Sequence, residues 1–223
     1  TYKEHEIQLI DTPGHVDFGY EVSRSLAACE GAILLVDASQ GIEAQTLANC
    51  YLALEHDLEL VVALNKIDLP AADPEKVCAE IEAVLGIKPE DVLWISAKTG
   101  SGVPELLDAV IEKIPAPEGD ANGQLQALMF DSYYDQYRGV VSAIRIMQGT
   151  LRSDSKMRYV NQGKSYDVEE IGIRRPGQTP VNELGPGEVG YLIAGIKDVG
   201  EARSGETVTL ASNPAPALEG YLD

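Results

Sequence analysis

Two uninterrupted apolar runs, GAILLVDA at 31–38 and LELVVALNKID at 58–68, constrain this chain more than any other feature. A strand with one wet face alternates apolar and polar residues. A run that is apolar at every position reads as a strand buried on both faces, as in a parallel sheet. A shorter run, VLWIS at 92–96, has the same character. Between the runs, apolar residues recur every three or four positions: Phe18, Val22, Leu26 and Cys29; Leu47, Cys50, Tyr51 and Leu54; Val77, Ile81, Val84 and Leu85; Val103, Leu106, Leu107, Val110 and Ile111. Each set makes one stripe on a helix. Asp73 and Pro74 supply a cap and a first-turn proline, and Gly86 falls just past the end of that helix. The alternation predicts an open α/β sheet with helices on both faces.

The pattern breaks at IPAPEGDANG, 114–123, where prolines, glycines and acids read as a linker. Beyond it the apolar period falls to two. LQALMFDSYY, GVVSAIRIMQG, KMRYV, KSYDVEEIGI, GEVGYLIAGI and GETVTLA read as strands separated by turn residues, which predicts an all-β barrel or sandwich. The expected division is 1–117 for the α/β domain, 118–213 for the barrel, and 214–223 as a linker into a further domain. The chain opens without Met inside what reads as a strand, so the expectation is a piece of a longer protein.

Aromatic residues make up 6% of the chain against 44% hydrophobic overall, so the core must be aliphatic. With 17 basic and 36 acidic side chains the formal charge is -19, which argues against loose, charge-driven binding to DNA or other nucleic acid. Cys29, Cys50 and Cys78 are far apart, with no C-x-x-C spacing, so no disulfide partner or zinc site is expected and a reducing interior is favoured. No apolar run reaches the roughly 18 residues of a membrane span, and no signal peptide is evident.

Ligands of open α/β sheets lie beyond the carboxyl ends of the strands, and three polar clusters fall there. Asn65-Lys66-Ile67-Asp68 closes the most apolar run, and Ser96-Ala97-Lys98 closes VLWIS. A carboxylate at Asp68 can accept from both N1–H and the 2-amino group of guanine, whereas adenine offers neither donor there. Sites built on such bonds reject the wrong ligand by roughly 10⁴-fold. Asn65 can orient the loop, the Lys66 stem can lie along the purine, and the Ala97 N–H can donate to guanine O6. Read alone, NKID has a lesser alternative, a helix cap at Asp68 with a solvated Lys66; the second cluster about thirty residues on is what sharpens it.

The third cluster is LIDTPGHVDF at 9–18. Ile7, Leu9 and Ile10 read as a strand ending on Asp11, followed by Thr12, Pro13, Gly14 and His15. Facing a terminal phosphate, Asp11 would hold magnesium through water. Gly14 would bring its N–H to the γ-phosphate, and His15 would orient the attacking water. Phosphoryl transfer needs little more than such positioning and charge stabilisation. Elsewhere His5 and His56 read as surface residues, Glu75, Glu80 and Glu82 as a solvated helix face, and Trp94 as core. Arg174, Arg175 and Lys164 form a small basic spot, read as surface charge ahead of an RNA contact.

DTPGH, NKID and SAK match the third, fourth and fifth nucleotide motifs of translational GTPases. The longer phrases VDFGYEVSRSLAACEGAILLVDASQGIEAQTLANCY, LNKIDLPAADPE and DSYYDQYRGVVSAIRI resemble the elongation factor 4 (LepA) family. The resemblance covers nearly the whole chain. It implies a GTPase domain followed by β-barrel domain II, GTP/GDP and Mg2+ as ligands, and the ribosome, both RNA and proteins, as partner in protein synthesis. A cytoplasmic bacterial location is implied, with peripheral contact at the inner membrane and an organellar version both open.

The chain also departs from that pattern. It contains no G-x-x-x-x-G-K-[ST], the loop that cradles phosphates, and no first switch segment. The strand that carries that loop in the family lies between the one ending at Asp11 and the one beginning near Gly31, so the sheet is expected to have a gap with unpaired apolar edges. Alone, this chain is expected to bind GTP poorly and to turn it over little or not at all. The alternative is a non-catalytic ribosome-binding module; a third reading is an unrelated ATP-using α/β enzyme.

Overall fold

A computed structural model describes residues 1–12 and 19–218, and for 19–21 the backbone alone. The chain divides into two units, Thr1–Ala116 and Pro117–Asp223.

In the first unit, α1 (Gly19–Leu26) precedes β1 (Gly31–Asp37), α2 (Ala44–Glu55), β2 (Glu59–Asn65), α3 (Pro74–Leu85), β3 (Leu93–Trp94) and α4 (Val103–Lys113). The three strands are parallel in the order β1-β2-β3. Side chains alternate across β2, and both faces are covered. Val62 and Leu64 pack with Cys50 of α2 and with Val77, Cys78 and Ile81 of α3. Val61 and Ala63 pack with Leu106, Ala109 and Val110 of α4. All four β2 residues are buried, which is why the run is apolar without alternation. Burial of each larger side chain stabilises the unit by about 1.5–3 kcal/mol. The α3 boundaries follow the local signals: the Asp73 side chain accepts from the Lys76 amide, and Gly86 turns left-handed at φ 71.

Residues 6–12 form no strand, contrary to the reading of Ile7, Leu9 and Ile10, and Leu9 is 78% exposed. An extended apolar segment becomes a sheet strand only when a neighbour accepts its backbone hydrogen bonds, and no described strand pairs with it. On the same account β1 is an edge strand. Its Leu35, on the face turned away from α2 and α3, is 53% exposed. Trp94, read as core, is instead 45% exposed, because β3 is the opposite edge and has a neighbour on one side alone. Among the described residues no helix is long and apolar enough to cross a membrane.

The second unit is antiparallel. It contains β4 (Gln126–Asp135), β5 (Gly139–Gln148), β6 (Leu151–Arg152), β7 (Lys156–Tyr159), β8 (Ser165–Asp167), β9 (Glu170–Arg175), β10 (Gly177–Val181), β11 (Glu183–Leu184), β12 (Val189–Ile193) and β13 (Thr207–Leu210). Eight of them form one sheet, in the order β10-β9-β12-β5-β4-β13-β7-β8, and β6 pairs separately with β11. The sheet curls round one core to which Ile144, Met157, Ile171, Leu184 and Val208 all contribute.

The expected barrel is not closed by a ladder, since β8 and β10 are the ends of the order. KSYDVEEIGI, read as one strand, is two. At Val168 the backbone still donates to Ser155, but at Glu169 it donates to Ile193, so the chain leaves β7 and joins β12 within two residues. This corner, with Val168 buried in the core, links the two sides of the sheet covalently where hydrogen bonds do not.

Candidate functional site at the carboxyl edge of the parallel sheet

Parallel register puts Asp37 at the end of β1 directly beside Asn65 at the end of β2. The next strand continues the row, because the Ile95 amide donates to the Leu64 carbonyl and the Ile67 amide to the Ile95 carbonyl. Two of the three predicted loops therefore emerge side by side for a purely topological reason: parallel strands end at the same edge.

Side chains then tie the loops together. Asn65 Oδ1 accepts from the Lys66 amide at 2.8 Å and from the Ala97 amide at 3.0 Å. The buried Ser96 hydroxyl donates to Asp68 Oδ1 at 2.6 Å and accepts from the Thr99 amide at 3.2 Å. Lys66 sits in the left-handed region at φ 66. That conformation costs a non-glycine residue on the order of 1–2 kcal/mol, and the Asn65 bond to its own neighbour's amide helps to hold it.

Asp37 is the functional neighbour that motif reading misses. Its Oδ2 accepts from the Lys66 ammonium at 2.6 Å, while Oδ1 accepts from the hydroxyl and amide of Ser39. Partial burial pushes the Asp37 carboxyl up, but the bonds from Lys66 and Ser39 outweigh it and bring its pKa down from 3.8 to about 2. Asp37 in turn holds the Lys66 ammonium above its usual value. The Ser96 hydroxyl keeps the exposed Asp68 carboxyl below the usual carboxylate range, helped by the charge of Lys98. The available signal was the last residue of the GAILLVD strand, a carboxylate at the same edge as the two motifs.

The edge is thus a polar rim of paired charges, Asp37 with Lys66 and Asp68 beside Lys98, over an exposed loop pair. An ionised carboxylate such as Asp68 accepts several hydrogen bonds, so the Ser96 bond leaves acceptor capacity toward solvent. The Ala97 N–H assigned to a base oxygen is engaged by Asn65, and a ligand acceptor would have to share or displace that bond. Ile67 is half-buried and packs against the core shared with α3, while Lys98 is exposed. Asp11 is exposed and Thr12 half-buried, and among the described residues no hydrogen bond joins either to this rim. Pro13, Gly14 and His15 lie outside the described residues. No group of three His, Cys, Asp or Glu among the described residues could hold a metal ion. The small basic spot is dispersed: Lys164 pairs with Glu201 at 2.7 Å, and the Arg174 guanidinium lies 5.5 Å from the Tyr133 ring centre.

The elongation factor Tu GTP binding domain matches residues 1–116, and elongation factor Tu domain 2 matches residues 139–209. Elongation factor 4 of Clostridium botulinum strain Langeland is 58% identical over 222 residues, covering 99% of this chain. The chain belongs to the elongation factor 4 family. Elongation factor 4 of Listeria welshimeri is 59% identical over 214 residues, and that of Staphylococcus aureus strain JH1 is 58% identical over 222. The chain spans about 37% of the length of the Clostridium relative, 35% of the Listeria one and 36% of the Staphylococcus one. Within elongation factor 4, then, this chain carries an α/β GTP-binding domain followed by an antiparallel β domain, and the NKID and SAK loops belong to the first.

Proposed function

We propose that the carboxyl-edge rim reads the guanine ring of GTP or GDP, and that the protein built on this chain hydrolyses GTP on the ribosome during protein synthesis. In this reading Asp68 takes the guanine N1–H and 2-amino donors, the Lys66 stem lies along the purine, and Asn65 holds the two loops in register. Ala97 offers its N–H to O6 once Asn65 yields it. Ser96 aims Asp68, and Lys98 and Ile67 frame the loops. Asp11 holds magnesium through water beside Thr12 and Pro13, Gly14 donates to the γ-phosphate, and His15 orients the water. Residues 1–117 form the GTP-binding domain and 118–213 the domain II β structure that docks on the ribosome.

One observation carries the reading. Loops 28 to 32 residues apart are joined by two direct hydrogen bonds, Ser96 to Asp68 and Ala97 to Asn65, so both present their polar groups to one place. The absence of a phosphate-cradling G-x-x-x-x-G-K-[ST] favours a second reading for the 223-residue chain taken by itself, a ribosome-binding module without turnover.

The test is an exchange of base specificity in the protein carrying its own upstream sequence. Asp68→Asn replaces one acceptor oxygen by a donor and should move preference from guanine toward xanthine, whose 2-oxo group accepts. Preference left on guanine would remove Asp68 from the reading. His15→Ala should leave GTP affinity within several-fold and depress ribosome-stimulated turnover; equal loss of both would make His15 structural.

A further inference from the structure

The first unit carries a second surface feature, on the edge strand that runs into the SAK loop. Trp94 is the single tryptophan of the chain and stands 45% exposed on the edge strand β3. It borders an open groove between α3 and the turn Pro89–Asp91, with Cys78, Ala79 and Val92 as floor and Glu75 and Glu90 on the rim. The indole N–H donates to Cys78 Sγ at 3.4 Å, which fixes the ring against α3. A large aromatic surface held in place and left wet is the usual anchor of a protein interface, where tryptophan is enriched.

The rim selects the partner. Both rim residues are carboxylates, and the chain as a whole carries a charge of -19. Lys88 reaches Glu90 at 4.0 Å with both side chains about 70% exposed, a contact of the kind that contributes little and yields readily. A cation with an apolar stem fits such a groove: the stem lies on the indole and the apolar floor, and the charged end meets Glu75 or Glu90. We propose that this groove docks a basic amphipathic segment of a partner protein, with a lysine or arginine side chain packed against Trp94 between Glu75 and Glu90. This goes beyond the nucleotide reading and does not depend on it.

Because Trp94 is the sole tryptophan, its emission reports the groove directly in the intact 223-residue chain. The probe is a short helical peptide of leucine and arginine, compared with the same peptide carrying glutamate for arginine. The expected result is a saturable change in emission with the arginine peptide, weakened at high salt, and none with the glutamate peptide. Glu75→Gln with Glu90→Gln should weaken binding about fivefold or more, whereas Glu118→Gln with Asp154→Asn, the same charge change elsewhere, should alter it less than about twofold. By anisotropy of labelled peptide, Trp94→Ala should lose roughly tenfold or more and Trp94→Phe less. No saturable change, an equal response to the glutamate peptide, or equal weakening by the two charge pairs would overturn the proposal. The glutamine pair, on exposed positions, keeps it open to refutation should Trp94→Ala fail to fold.

Discussion

The Ser96 hydroxyl donates to Asp68 Oδ1 at 2.6 Å, between residues 28 positions apart in the chain. Ser96 is buried and Asp68 is exposed, so the bond anchors an outward-facing carboxylate to the interior of the sheet. Ser96→Ala should therefore raise the Asp68 carboxyl toward its ordinary value, read by NMR titration of that carboxyl. Ser96→Thr, which keeps the hydroxyl, should leave it low. An unchanged midpoint in the alanine variant would show that the bond does not govern Asp68.

Asp37 makes an acid-labile contribution. Its carboxyl falls from 3.8 to about 2 on folding. A carboxyl depressed by folding adds stability that is fully present above the unfolded value and is lost as protons bind both states. This share of the stability should vanish as the pH drops from about 4 through about 2. Urea midpoints measured across that range should fall less steeply in Asp37→Asn than in the parent, and the variant should be the weaker of the two at neutral pH.

Gly102 and Gly100 share a left-handed backbone, at φ +72 and +83, but not the same surroundings. A Cβ at Gly102 would lie 2.2 Å from the Trp94 carbonyl oxygen, whereas one at Gly100 would meet nothing within 4 Å. Gly100→Ala should cost about 1 kcal/mol from backbone strain alone. Gly102→Ala must also push β3 from the start of α4, and should cost about 2 kcal/mol more. Urea denaturation of the two variants measures the difference, and equal losses would contradict the packing at Trp94.

Burial separates two leucine-like positions in the same unit. Ile81 is 0% exposed between α3 and the sheet, and Ile81→Ala should destabilise by about 2–5 kcal/mol. Leu35 is 53% exposed on the free edge strand β1, and Leu35→Ala should cost less than about 1 kcal/mol. A large loss at Leu35 would mean that this edge is covered in solution.

Local pattern made much of this legible. The β2 run announced a strand buried on both faces, because alternation is absent only when no face is wet. The α3 helix was written in Asp73, Pro74 and Gly86, each of which acts on backbone groups within a turn of itself. Other features needed partners that lie far along the chain. Ile7, Leu9 and Ile10 have the composition of a strand, yet no described strand pairs with the segment. KSYDVEEIGI has the period of one strand, yet its two halves bond to β7 and to β9's neighbour β12.

By itself the sequence determined the helices and most of the strands, their order, the α/β-then-β division and the positions of NKID and SAK at strand ends, since spacing and capping act over a few residues. Tertiary structure alone decided that Asn65 would bond the Ala97 amide, that Asp37 would hold Lys66 from 29 residues away, and that Trp94 would stand at an open edge. Those outcomes depend on which strands lie side by side and which edge is left unpaired. That is fixed by the register of the whole sheet and leaves no mark on any one stretch of chain.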